Sequence, residues 1–157
     1  MNQYYNPVRT LEGPGCVNQV EAVLAEMGLA RKTVLLLAWS DMVFRLPAFE
    51  ALQAPASGYT VRTLCFQASN PTVEQLLAVY QETRDFAPEV VIAVGGGTIL
   101  DVGKSLCCLY GREIPDADAL RRIIQDKAYG RPAARWIGIP TTAGTGSETT
   151  CWATIWD

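Results

Sequence analysis

The sequence predicts an α/β domain with a Rossmann-like, doubly wound and mostly parallel sheet. Short aliphatic runs alternate along the chain with stretches in which apolar residues recur at helical spacing, as in repeated β-α units. The run at residues 33–38 is continuous instead of alternating with polar residues, which is typical of a strand that helices cover on both faces. In addition, the glycines at positions 95–97 join one such run directly to a helical stretch.

The elements follow one another without a repeat or a linker, so residues 1–157 are interpreted as one domain. Each strand is predicted from a β-branched or aliphatic run, and each helix from apolar residues three and four positions apart. Strands are expected at residues 33–38, 59–66, 90–94 and 136–139, with residues 151–156 as a candidate fifth strand. Helices are expected at residues 17–27, 49–52, 98–110 and 116–127, and a further helix starts after residues 70–72.

The composition argues against several classes of partner. Hydrophobic residues make up 49% of the chain and charged residues 18%, as in globular proteins, and the net charge is -3. This charge favours neither a nucleic acid nor an anionic membrane as partner. The N-terminus lacks a basic segment followed by an apolar one, and no apolar stretch is long enough to span a bilayer. We therefore expect a cytoplasmic protein with no membrane partner.

The inventory of nucleophiles and metal ligands is short. The chain has five cysteines without the paired spacing of metal or redox motifs, and we expect them to be buried or half-buried free thiols in a reducing compartment. It contains no histidine, which excludes Ser-His-Asp and Cys-His nucleophilic systems. Because imidazole is also the commonest ligand of zinc and iron enzymes, we expect no metal site within this chain.

The most informative segment is the passage from an aliphatic run into a helix at residues 95–98, here called the glycine turn. Glycines leave room for a ligand beside the main chain, and the start of the helix offers unpaired amides and a partial positive charge. This combination suits a pyrophosphate. Thr98 and Asp101 also have the spacing of a capping box, so a purely structural role for both stays open, as does a merely tight turn. The glycines do not form the G-x-G-x-x-G dinucleotide fingerprint.

A second segment, residues 141–147, follows the last predicted strand and is here called the threonine loop. Its hydroxyls and amides are suited to ribose and phosphate oxygens, although a solvent-exposed loop would have a similar composition. Ligands of open α/β sheets lie beyond the carboxyl ends of the strands, where both segments should meet. The hydroxyl-bearing residues are Thr141, Thr142, Thr145 and Ser147.

At these residues the sequence resembles the iron-containing (group III) alcohol dehydrogenase superfamily, and the resemblance extends over essentially the whole chain. The family's GGGS-xx-D-xx-K turn is matched from Gly95 to Lys104, with Thr98 in place of the serine. Its P-T-T-x-G-T-G-S-E segment is matched by residues 140–148, and its N-P-T element by residues 70–72. The three motifs occur in the family's order with the expected strands between them.

The resemblance implies a dinucleotide-binding domain for NAD or NADP, taken from a longer two-domain enzyme. Gly96, Gly97 and Thr98 would hold the pyrophosphate, Asp101 would lie near the nicotinamide and its ribose, and Asn70 near the adenosine. Thr141, Thr142 and Thr145 would line the cofactor cleft, with Ser147 beside them. In the family, Fe²⁺ or Zn²⁺ is held by one aspartate and three histidines of a helical second domain, which is absent here. The chain alone should therefore be inactive, and it should self-associate through the apolar surface that it exposes. The parent enzyme is expected to form a homo-oligomer.

Substrate and cofactor choice stay open at this level. The implied substrate is a small alcohol or aldehyde. The runs YYNPVRT and SETTCWATIWD are similar to members that reduce phosphonate aldehydes, but a general short-chain substrate fits as well. Asp41 would favour NAD only if the first strand ran about two residues longer, whereas Trp39 or Ser40 in its place would tolerate NADP. Two alternatives are a stand-alone, non-catalytic nucleotide-binding module and an interaction protein that retains the fold.

Overall fold

The computed structural model describes residues 8–157 and contains a four-stranded sheet whose strands all run parallel. The predicted α/β fold with a parallel sheet is confirmed. The first four residues of the YYNPVRT run, residues 4–7, lie outside the described part of the chain. The strands are β1 (Thr33–Ala38), β2 (Thr60–Cys65), β3 (Val90–Gly95) and β4 (Arg135–Pro140).

Five α-helices connect and flank these strands in the described chain, and their positions agree with the sequence pattern to within a few residues. A 3₁₀ turn at Cys16–Gln19 precedes the first of them, so the predicted helix at residues 17–27 divides into two parts. The helices are α1 (Val20–Glu26), α2 (Pro47–Gln53), α3 (Val73–Thr83), α4 (Gly97–Leu109) and α5 (Ala117–Gln125). None of the described helices combines the length and the apolar character needed to cross a membrane.

Helices cover the two faces of the sheet, which makes the fold doubly wound. Alternate residues of a strand point to opposite faces, so Leu35 and Leu37 pack in one buried cluster with residues of α3, α4 and α5. Val34 and Leu36 pack in a second cluster with residues of α1 and α2. All six residues of β3 are buried, which explains why this strand has no polar position.

The order of the strands creates a switch point at the centre of the sheet. The order is β2-β1-β3-β4, so the chain leaves β1 toward one edge and β3 toward the other. The connections after β1 and β3 therefore diverge and leave a crevice at the carboxyl ends of these two strands. Open α/β sheets bind their ligands in this place.

Close packing of α4 on the sheet depends on Gly103. A Cβ at this position would lie 2.7 Å from the Ala93 Cβ and 3.2 Å from the Trp136 Nε1. The helix can thus approach β3 and β4 only because this residue has no side chain.

The candidate fifth strand at residues 151–156 was a wrong prediction. This segment forms only an isolated parallel bridge, between Thr72 and Trp156. The Trp156 amide donates to the Pro71 carbonyl, and the Val73 amide donates to the Trp156 carbonyl. The segment therefore crosses to the start of α3 instead of lying beside β4. Its apolar composition resembles that of a strand, but Trp152 and Trp156 are exposed.

The cysteines are free thiols in the structure, as predicted, but Cys65 and Cys151 are exposed and not buried or half-buried. Cys107 is buried in the core beside α5, and burial raises the pKa of its thiol above the ordinary value. Burial also raises the pKa of the Cys108 thiol. Both residues are therefore interpreted as packing residues of α4 and not as nucleophiles.

Candidate functional site

The glycine turn passes directly from β3 into α4. Gly96 is the N-cap residue in an extended conformation, and no side chain caps the helix. The first turn of α4 contains no acidic residue either, so its amides and partial positive charge are not neutralised locally. The interpretation of Thr98 as the helix cap is therefore wrong, because the helix begins one residue before it.

Asp101 does not reach back to the helix start, so the second half of the capping-box interpretation is also wrong. Its carboxylate accepts hydrogen bonds from the Ser147 hydroxyl (2.6 Å) and the Thr154 amide (3.0 Å). It also forms an ion pair with Lys104 at 3.1 Å. These contacts orient Asp101 toward the segment that follows the threonine loop.

A crevice of about 380 Å³ lies at the switch point between β1 and β3. Trp39, the first residue after β1, the start of α4 and the segment that follows β2 together line it. Its lining residues are Trp39, Phe66, Gln67, Ala68, Ser69, Gly96, Thr98 and Ile99, none of which is charged.

The threonine loop lies directly on the glycine turn. The Thr141 amide donates to the Gly95 carbonyl at 3.0 Å, which fixes the beginning of the loop. A Cβ on Gly96 would lie 3.2 Å from the Thr142 Oγ1, and one on Gly97 would lie 3.1 Å from the Thr145 Cγ2. The absence of side chains here was expected to leave room for a phosphate. The structure shows that a side chain at Gly96 or Gly97 would also contact Thr142 or Thr145.

The structure brings most of the predicted residues together but sorts them into two groups. Thr98 lines the crevice, and Thr142 and Thr145 of the exposed threonine loop lie against the neighbouring Gly96 and Gly97. Ser147, in contrast, is only 5% exposed and is bound to Asp101, so both belong to a buried polar cluster behind the loop. Asn70 is exposed, with a left-handed backbone (φ 52°), and follows the crevice residue Ser69.

Sequence reasoning assigned no role to Lys104 and weighed Trp39 only as an alternative to Asp41. The signal for Lys104 was present, since Asp101 and Lys104 are the only charged residues of the otherwise apolar α4. The signal for Trp39 is its place at the end of β1, which the structure puts at Ala38. Asp41 lies in a 3₁₀ turn and pairs with Arg45 at 3.2 Å. Burial and then the Asp41 charge raise the pKa of the Cys65 thiol at the end of β2.

A metal site was tested against the same residues. The part of the chain that the structure describes contains no group of three or more histidine, cysteine, aspartate or glutamate residues able to hold a metal ion. The described residues therefore do not fit a catalytic metal site.

Comparison with known proteins identifies the family. The sequence model of the family described as iron-containing alcohol dehydrogenase matches residues 7–157. This chain belongs to the iron-containing alcohol dehydrogenase family. The resemblance inferred from the three motifs is thereby confirmed.

Individual relatives of this family member are enzymes of alcohol and aldehyde metabolism. A phosphonoacetaldehyde reductase from Streptomyces viridochromogenes is 39% identical over 89 residues, which are 55% of this chain and 22% of the relative. The aldehyde-alcohol dehydrogenase 2 of Entamoeba histolytica is 42% identical over 95 residues, which are 55% of this chain and 10% of the relative.

Solved structures of the family share the fold of this chain. An iron-containing alcohol dehydrogenase superposes with a TM-score of 0.77 at 20% identity, covering 94% of this chain and 40% of the other. The sulfoacetaldehyde reductase of Bifidobacterium kashiwanohense, in complex with NAD⁺, superposes with a TM-score of 0.70 at 26% identity, covering 96% and 39%. The present chain thus spans about two fifths of the length of these solved structures.

The contact between the two motifs gives a first prediction about stability. Gly97→Val should lower the free energy of unfolding by about 1–3 kcal/mol, the usual cost of overpacking, because the new side chain meets Thr145. Removing the obstacle in Gly97→Val/Thr145→Ala should recover a coupling energy of about 1 kcal/mol. Urea unfolding of the four proteins, with Thr145→Ala as the matched single variant, measures this cycle. Strictly additive effects would mean that the threonine loop does not rest on Gly97.

Proposed function

We propose that this chain is the nucleotide-binding domain of an NAD(P)-dependent, metal-dependent alcohol dehydrogenase or aldehyde reductase. One observation carries the proposal: an uncapped helix start lies at the switch point of a parallel sheet, and a loop of exposed threonines closes over it. Family membership agrees with this proposal. The relatives' names describe enzymes, which does not favour a non-catalytic binding module.

The pyrophosphate is proposed to bind at the glycine turn. The amides at the start of α4 have no side-chain cap, so they are available to phosphate oxygens, and the helix dipole favours the negative charge. The Thr98 hydroxyl at the crevice offers a further donor. No basic side chain lines the crevice, so main-chain amides are the main source of positive potential for the phosphates.

The remaining parts of the dinucleotide are proposed to extend to the two sides of this turn. The crevice between Trp39 and Ser69 offers apolar and amide groups to the adenosine, with Asn70 at its rim. Thr141, Thr142 and Thr145 offer exposed hydroxyls on the other side. When bound, the nicotinamide would accept a hydride from an alcohol, or in its reduced form would donate a hydride to an aldehyde. Asp101 and Ser147 are proposed to support the nicotinamide half of the site from behind the threonine loop, because their side chains are hydrogen-bonded to each other.

The metal and the substrate are assigned to the parent enzyme. We propose that the ligands of Fe²⁺ or Zn²⁺ lie outside this chain, which has no histidine. The substrate is proposed to be a small alcohol or aldehyde. The phosphonoacetaldehyde and sulfoacetaldehyde reductases among the relatives favour an aldehyde that carries an anionic group. By itself the chain is proposed to bind nucleotide without turning over an alcohol.

Binding of NADH tests the proposed pyrophosphate site. Gly97→Val should weaken NADH binding at least tenfold, or about 1.4 kcal/mol, because it blocks the main chain at the start of α4. Gly97→Val/Thr145→Ala should bind as weakly as the single variant, since relief of crowding does not restore access to the amides. Isothermal titration and circular dichroism are the measurements. A double variant that regains wild-type affinity would place the phosphate away from this turn.

The end of β1 predicts little discrimination between the two cofactors. No carboxylate lines the crevice beside Trp39, so nothing there repels a 2′-phosphate, and NADPH should bind within about tenfold of NADH. Trp39→Asp should disfavour NADPH by at least about tenfold, whereas Asp41→Asn should leave the ratio nearly unchanged. Parallel titrations with the two cofactors measure the ratio. A wild-type preference for NADH that Asp41→Asn abolishes would assign the selection to Asp41.

Exposed apolar side chains predict self-association. Met42 is 71% exposed and Trp152 is 72% exposed, and surfaces of this kind are commonly covered by another domain or subunit. We therefore propose that the chain forms homo-oligomers at high concentration. Sedimentation velocity should show dimers or larger species at about 100 μM, far above a typical micromolar dissociation constant. A monomer throughout this range would contradict the proposal.

A further inference from the structure

The helix that begins at the glycine turn carries an ion pair on its second turn. The Lys104 Nζ lies 3.1 Å from the Asp101 Oδ1, and the side chains are only 10% and 15% exposed. Two charges this deeply buried are costly unless hydrogen bonds satisfy the rest of their valence. Neither residue lines the crevice, so any effect of the pair on the crevice must come through the residues that it contacts.

Lys104 is surrounded by oxygen atoms of the segment that follows the threonine loop. Its ammonium donates to the Ser147 hydroxyl (2.7 Å) and the Ser147 carbonyl (2.9 Å). It also donates to the carbonyl of Trp152 and lies 3.4 Å from that of Thr150. One cation on α4 thus gathers the main chain of residues 147–152, which forms no helix or strand of its own.

Asp101 completes the attachment from the other side of the ion pair. It accepts from the Ser147 hydroxyl and from the Thr154 amide, so the pair binds both ends of residues 147–154. Ser147 in turn connects this attachment to the threonine loop, because its amide donates to the Thr145 Oγ1 at 3.3 Å. Thr145 is the residue that lies against Gly97. A continuous chain of contacts therefore leads from Lys104 to the glycine turn.

We propose that Lys104 is a positioning residue that, with Asp101, fixes the threonine loop on the glycine turn and so shapes the nucleotide site. The effect on nucleotide binding rests on the proposed function, whereas the contacts of Lys104 and Asp101 do not depend on it. The start of the loop is held independently by the Thr141 amide on the β3 carbonyl of Gly95. Loss of Lys104 should consequently release the end of the loop and leave its start in place. An apolar side chain of similar length cannot replace it, because it offers no donor to the carbonyls.

The test compares Lys104→Met with the double variant Lys104→Met/Asp101→Asn and with the matched control Lys127→Met. Lys127 is an exposed lysine beyond α5. The double variant removes both charges and so avoids an unpaired buried carboxylate, which keeps the test valid if the single variant folds poorly. The measurements are amide hydrogen exchange, resolved by residue, and titration with NADH.

In both Lys104 variants, exchange at the Ser147 and Thr154 amides should accelerate by about tenfold or more, while the Thr141 amide keeps its protection. NADH binding should weaken by about tenfold, and the double variant should recover thermal stability without recovering affinity. The Lys127→Met control should match the wild type in all measurements.

Two outcomes overturn the proposal. If the Ser147 and Thr154 amides keep wild-type exchange rates, Lys104 does not hold the segment. If exchange accelerates but the double variant binds NADH as the wild type does, the pair is a stabilising contact and not a positioning device. A wild-type chain that fails to bind NADH at all would refute the proposed function, and the exchange rates would still decide whether Lys104 fixes the loop.

Discussion

The contact between the glycine turn and the threonine loop is the constraint on which the rest of the site depends. Because β3 is buried over its whole length, the chain must turn sharply at the end of this strand before α4 can start. A Cβ on Gly95 would lie 2.6 Å from the Ile99 Cγ1, and Cβ atoms on Gly96 and Gly97 would meet Thr142 and Thr145. Three successive residues without side chains therefore allow the helix to begin directly under the loop.

The same constraint explains why a buried ion pair lies on an otherwise apolar helix. The threonine loop contains two glycines with positive φ, Gly144 and Gly146, and has no strand partner after Pro140. Such a segment has little intrinsic preference for one conformation. Asp101 and Lys104 supply the hydrogen bonds that the backbone of residues 147–154 does not make with itself. Two desolvated charges thus order a loop that lies against the glycine turn.

Much of this structure could be predicted from the sequence, because its strongest signals are local. Continuous apolar runs identified the two central strands β1 and β3, since a strand covered on two faces has few polar positions. The edge strand β2 contains Arg62 and two threonines and was identified from its β-branched and aromatic residues instead. The glycine turn and the threonine loop were recognisable because each directly follows a predicted strand and matches a motif of the family. The meeting of both at one edge followed from the parallel direction of the strands.

The errors arose where long-range contacts decide between two local possibilities. Thr98 and Asp101 have capping-box spacing, but the helix starts at Gly97, and Asp101 finds Ser147 and Thr154 about fifty residues away. Residues 151–156 have the composition of a strand, yet their partners are Asp101 and the start of α3. The sequence singles out Lys104 as a charge on an apolar helix but does not reveal its partners, because these include main-chain carbonyl groups that no sequence pattern marks.

The most direct test of the account is a titration of ¹⁵N-labelled chain with NADH, followed residue by residue through amide chemical shifts. We expect the largest changes at Gly96, Gly97 and Thr98, with smaller ones at Thr142 and Thr145, and no change at the opposite end of the sheet around Gly28 and Glu89. ADP should reproduce the changes at the glycine turn, because it carries the pyrophosphate without the nicotinamide. Saturable shifts confined to other residues, or the absence of any shift at Gly97 and Thr98, would contradict the central claim that the pyrophosphate binds at the start of α4.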